Sequence, residues 1–205
     1  MKKLTSILVA LVLILSAASA FAAVPSKTTT DNTQVKTVES STGVKIEESF
    51  AIEVAVDAAP VVKEIENLFT FVNEKKMAPI AYFPQETQDK VLEVLKADPA
   101  AVVDVNKLEI NEIVTIKPIE YKEEYGDIKT EFAFVTRYAA GQKVVAMLSL
   151  YTGEVDANGE FIVEWVVLEA EVQADGSIAV VIPQAEMLKM QTAQSVALAV
   201  LSEAV

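Results

Sequence analysis

One short run of the chain, "KPIEYKEEYGDIKTE", gathers Glu120, Glu123, Glu124, Asp127 and Glu131 around Tyr121 and Tyr125. Two carboxyl groups held about 5–10 Å apart, one protonated and one ionised, are the working parts of a glycoside hydrolase. Tyrosine rings beside them would offer stacking faces for sugars. The candidates drawn from this run are Glu120, Tyr121, Glu124 and Tyr125. The same run also reads as a solvated connection, because Lys117, Lys122 and Lys129 interleave with its acids.

A second acid, Glu164, lies in "FIVEWVVLEAEV" on one strand face with Ile162, Val166 and Leu168. Burial there would raise its pKa toward that of a general acid. A face bordering solvent, or a cross-strand lysine such as Lys143, would leave it ionised. Trp165 shares the opposite face with Phe161, Val163 and Val167, which makes it a core residue rather than a carbohydrate platform. In "GEVDANGEF", Asp156, Asn158 and Glu160 alternate like the oxygen ligands of a calcium loop. Calcium needs six or more oxygens, and the downstream bidentate glutamate of an EF-hand is missing. Asn158-Gly159 is explained as well by a hairpin turn. Met187, Leu188 and Met190 could form an adaptable contact surface or plug the end of a sheet.

Much other chemistry is excluded by composition. The chain has no His and no Cys, which removes the Ser-His-Asp triad, thiol nucleophiles and His- or Cys-ligated metals. The 6 glycines stand singly, whereas a phosphate-cradling loop needs them clustered after a strand. No cofactor is implied.

The elements that must position these residues follow from periodicity. "IEESFAIEVAV" alternates as a half-buried strand. "DAAPVVKEIENLFTFVNEKK" places Val61, Ile65, Leu68, Phe69 and Val72 at helical spacing. A second helix carries Val91, Leu92 and Leu95 and ends before Pro99. "LEINEIVTIKP" returns as a strand. From about residue 128, runs rich in Val, Ile and aromatics are separated by "AAGQ", "DANGE" and "ADGS" turns. Pro183 opens a short helical turn, and "VALAVL" is too short to span a bilayer and reads as a last strand covered on both faces. The expected fold is α+β: an N-terminal strand-helix-helix-strand part over 46–125, then a β-rich part over 126–205. That second part is expected to be a mainly antiparallel meander or an immunoglobulin-like sandwich. Its strand, Pro-started turn, strand ending resembles the ends of bacterial surface sandwich modules.

Residues 1–22 have the charged start, apolar run and small-residue cleavage site of a secretory signal peptide. Residues 23–45 are rich in Ser and Thr and poor in apolar side chains, so they read as a disordered spacer. The 205-residue chain has 17 basic and 30 acidic residues, a net charge of −13. Such a charge repels phosphate backbones and anionic membrane surfaces, so nucleic acid is not an expected partner. No membrane span is expected once the signal is removed. An exported chain without Cys must hold its core without disulfides.

The expectation is a secreted or cell-surface, non-catalytic interaction module, meeting a protein or glycan at the cell envelope or in the medium. The alternative is a small carboxylate-dependent glycan hydrolase. A third reading, a secreted inhibitor or chaperone-like partner, would use a groove on the two-helix part.

Overall fold

The structure, a computed structural model, describes residues 33–47, 51–54, 59–96 and 104–203. The expected signal peptide and the first part of the spacer lie outside the described residues. No described helix is long and apolar enough to cross a membrane.

The fold is mixed α+β and mostly β. Its strands are β1 (Gln34–Ser40), β2 (Ala51–Val54), β3 (Leu108–Ile119), β4 (Ile128–Ala133), β5 (Val144–Val155), β6 (Phe161–Val172), β7 (Ile178–Ile182) and β8 (Ser195–Glu203). Helices α1 (Ala59–Lys75) and α2 (Gln85–Lys96) fall between β2 and β3, and α3 (Gln184–Thr192) between β7 and β8. The eight strands make one antiparallel sheet in the order β1-β4-β7-β6-β5-β8-β3-β2. The sheet curls, so that its edge strands β1 and β2 come close together. One curled sheet thus stands where two facing sheets of a sandwich were an expectation, and the meander is limited to β5, β6 and β7. Strands from either side of residue 125 pair directly, β1 with β4 and β3 with β8.

Each face of the sheet carries its own core. The inner one gathers Val114, Ile116, Leu148, Leu150, Val180, Leu198 and Val200, among others, at alternate positions of their strands. The outer one takes the intervening residues, such as Ile113, Val145, Met147, Ala197, Ala199 and Leu201, and packs them under α1 and α2. Alternate side chains point to opposite faces of a strand, so a strand covered on both sides must be apolar throughout. β8 is such a strand and sits between β5 and β3 in the interior of the sheet. Fully burying each large aliphatic side chain contributes about 1.5–3 kcal/mol. Two cores of this kind hold the fold without a disulfide.

The helices fit the outer face by simple rules. In α2, Thr87, Val91 and Leu95 recur every four residues and are buried, while Glu86 and Lys90 form an exposed pair at 2.9 Å. In α1, Leu68 is buried and Val72 half-buried against the same core. In α3, Met187 and Met190 are buried in the inner core, so this helix is a plug and not an exposed methionine surface.

Residues 34–40 correct the spacer reading. Val35 pairs with Phe132 and Val38 with Thr130, two residues that share the buried face of β4. A bulge at Lys36 takes up the extra residue, so two valines three apart in sequence reach the same side. The Ser/Thr residues that follow are also at work. Ser40 Oγ donates to the Tyr125 carbonyl at 2.6 Å, and Thr42 Oγ1 to the Glu124 carbonyl at 2.8 Å.

Candidate functional site

Between the first half of α1 and the β5–β6 hairpin lies a cleft of about 370 Å³, lined by Lys63, Glu64, Asn67, Glu160 and Phe161. α1 presents Lys63 and Asn67 one turn apart, and the hairpin brings Glu160 and Phe161 up to them. Lys63 Nζ lies 2.8 Å from Glu160 Oε2 and 5.6 Å from the centre of the Phe161 ring. On the neighbouring wall, Glu64 Oε1 accepts hydrogen bonds from Tyr82 Oη at 2.8 Å and Trp165 Nε1 at 3.3 Å. Burial, and then the Glu64 carboxylate, push the Tyr82 hydroxyl above its ordinary pKa, so it stays a donor. An edge-to-face chain of rings backs this wall: Phe71 on Tyr82, Tyr82 on Phe83, and Phe83 on Trp165 at 5.0 Å. The result is a carboxylate fixed by two donors beside an exposed phenyl ring and a second carboxylate. Such a set can hold cations and hydrogen-bond donors.

The residues singled out from sequence do not converge. Tyr121 is 6% exposed and Tyr125 fully buried, and both rings belong to the inner core. They offer no stacking face, which corrects their reading as binding residues, while the charged residues between them stay solvated. Tyr121 Oη donates to the Gly126 carbonyl at 2.7 Å, while the Tyr125 hydroxyl accepts from the Glu47 backbone N–H at 3.3 Å. Glu120 and Glu124 are exposed around that buried pair. Glu164 shares its strand face with inner-core residues Val166 and Leu168 but is itself exposed. Its partner is Lys189 of α3, at 2.6 Å, and not Lys143. Trp165 packs in the outer core as its face required, with the addition of its hydrogen bond to Glu64.

The 156–160 loop is a hairpin turn. Asp156 Oδ1 accepts from the backbone N–H groups of Asn158 at 2.8 Å and Glu160 at 2.9 Å, and Oδ2 from the Asn158 side chain at 3.2 Å. These bonds hold the Asp156 carboxyl below its usual range. Glu160 turns instead to Lys63. The three candidate calcium ligands are thus engaged with the turn and α1, and no described group of acids is arranged to hold a metal ion.

A second polar cluster joins β1, β4 and the β6–β7 turn. Lys36 Nζ is paired with Glu131 and, at 2.6 Å, with Asp175, and lies 3.5 Å from Ser177 Oγ. Ser177 Oγ in turn donates to Glu131 and lies 2.6 Å from Asp175 Oδ1. Serine beside lysine suggests a nucleophile and its base, but the electrostatics point the other way. Asp175 first, then Glu131, raise the Lys36 pKa and keep it protonated, and Lys36 holds the Glu131 carboxyl below its usual range and that of Asp175 well below. A base needs a free lone pair near neutral pH. The cluster works as a clamp on β1.

No protein family, curated protein or solved structure matches the chain. The cleft is therefore argued from its own geometry. Sequence reading named Glu160 only as a calcium ligand and Phe161 only as a neighbour on the core face of Trp165, though it is exposed, and passed over Lys63, Glu64, Asn67 and Tyr82. The one local signal was the i, i+4 spacing of Lys63 and Asn67 on the polar side of α1.

Proposed function

We propose that this chain, once exported, is a non-catalytic interaction module of the cell envelope or medium, and that the α1–hairpin cleft is its contact surface. The observation that carries this reading is the hairpin itself. Val155 and Phe161, cross-strand partners on the side that faces α1, are large apolar side chains left exposed on it, next to a cleft whose Glu64 is held ready by two donors. An exposed apolar patch rimmed by polar groups marks a contact site. Export rests on the first 22 residues of the sequence.

The test is binding of the purified mature chain to an array of glycans and envelope proteins, beside a Val155→Ser/Phe161→Ala variant. Hits that vanish in the variant support the reading; hits indifferent to it overturn the placement on this surface. A second reading, the carboxylate-dependent glycan hydrolase, has one observation in its favour: Glu64 and Glu160 line the same cleft. Polymer turnover that is lost on Glu64→Gln would establish it in place of the first.

A further inference from the structure

The cleft already holds a cation, and it is the chain's own. Lys63 and Glu160 are 97 residues apart, so their pairing is a product of the tertiary fold and not of local helix spacing. Lys63 meets both a carboxylate and an aromatic face, the two groups by which proteins recognise ammonium and guanidinium ligands. Glu64 adds a second acceptor on the neighbouring wall. With Oε1 occupied by Tyr82 and Trp165, its Oε2 faces only a long 3.5 Å contact from Asn67 Nδ2 among the described residues. That contact is at the limit of a hydrogen bond. Two carboxylates against one lysine leave the lining net negative, in a chain of net charge −13 that draws basic partners toward it.

We propose that the cleft receives a lysine or arginine side chain from a basic partner polypeptide, with Lys63 as the internal occupant that yields its place on Glu160 and Phe161. This rests on the interaction-module reading and names its ligand class. Lys63 and Glu160 are about half exposed, and exposed ion pairs are weak, so Lys63 gives way at little cost. Phe161, 39% exposed, remains as the platform for the incoming cation.

Tetralysine and the neutral sugar chitotetraose are titrated into the mature chain, by calorimetry and by emission of Trp165, the single tryptophan, which bonds to Glu64. Tetralysine is expected to bind. Phe161→Ala and Glu160→Gln, both at exposed positions and checked by melting, weaken it about threefold or more. Lys63→Ala tightens it by a similar factor, whereas Lys129→Ala, the same charge change on exposed Lys129 of β4, does not. Equal shifts from Lys63→Ala and Lys129→Ala reduce the effect to bulk charge and overturn the proposal. Chitotetraose binding that depends on Phe161, without tetralysine binding, overturns the cationic class but leaves the interaction-module reading standing. Silence toward both probes and toward the array removes both.

Discussion

Replacing Gly126 by alanine tests the least expected part of the fold, the burial of Tyr121 and Tyr125 within the otherwise exposed 120–127 segment. Gly126 ends the short 3-10 turn Glu123–Tyr125 at φ +64°, ψ −144°, a region that residues with a Cβ rarely adopt. Holding alanine there costs about 1–3 kcal/mol. The new Cβ would also stand 2.6 Å from Ser41 Oγ and 2.9 Å from Thr42 Cγ2, too close for either to stay where it is. Thr42 holds the Glu124 carbonyl, so its displacement loosens the clasp over Tyr125. Ser41 and Thr42 are exposed and can turn aside, so the added loss is that of the Thr42 hydrogen bond, about 1 kcal/mol. The total is about 2–4 kcal/mol, or a fall in Tm of roughly 4–16 °C for a chain of this size. Gly159→Ala is the control. It has positive φ as well, +81°, but open space where the Cβ would go, so only the backbone strain remains, about 1 kcal/mol. Urea and thermal unfolding followed by circular dichroism compare the two directly. If Gly126→Ala loses no more stability than Gly159→Ala, residues 41–42 do not clasp this segment and the account of Tyr121 and Tyr125 as core residues fails.

Three further outcomes are expected. Because Lys36 holds Glu131 and Asp175 below the usual carboxyl range, the unfolded chain binds protons there that the native chain does not. Their contribution is therefore complete above about pH 4–5 and is lost as the pH falls through the depressed values. Lys36→Met should lower the urea midpoint at pH 7 and narrow its difference from the parent chain in acid; parallel pH curves would contradict the clamp. Ser149 Oγ is buried in the middle of β5 with no hydrogen-bond partner among the described residues, so Ser149→Ala should raise stability by about 1 kcal/mol. A loss measured in the same urea titration would show that the hydroxyl is satisfied. Millimolar Ca²⁺ should leave the melting temperature unchanged, because Asp156 already serves the turn, whereas Asp156→Ala should lower it. A calcium-dependent rise in Tm would restore the metal site.

What could be read from the sequence was what local period records. The runs that became β5, β6 and β7 announced themselves by their Val, Ile and aromatic content between turn residues, and "VALAVL" as a strand covered on both faces. The α2 stripe of Val91 and Leu95 and the Asn158-Gly159 turn were legible for the same reason. β1 was not, because the bulge at Lys36 breaks the alternation of Val35 and Val38, and four polar residues surround them. Tyr121 and Tyr125 misled because their neighbours are acids. What buries the rings is the inner core of the curled sheet and the Ser/Thr clasp from 40–42, distant in sequence.

The cleft belongs wholly to the tertiary level. Lys63, Glu64, Tyr82, Glu160 and Trp165 show no common period, and each alone reads as an ordinary surface or core residue. Composition by itself settled which chemistries the chain lacks and the sign of its charge. Which carboxylates stand near a ring or a lysine was decided only when the curled sheet laid β6 beneath α1, because a contact between residues about a hundred positions apart depends on the path of the whole chain.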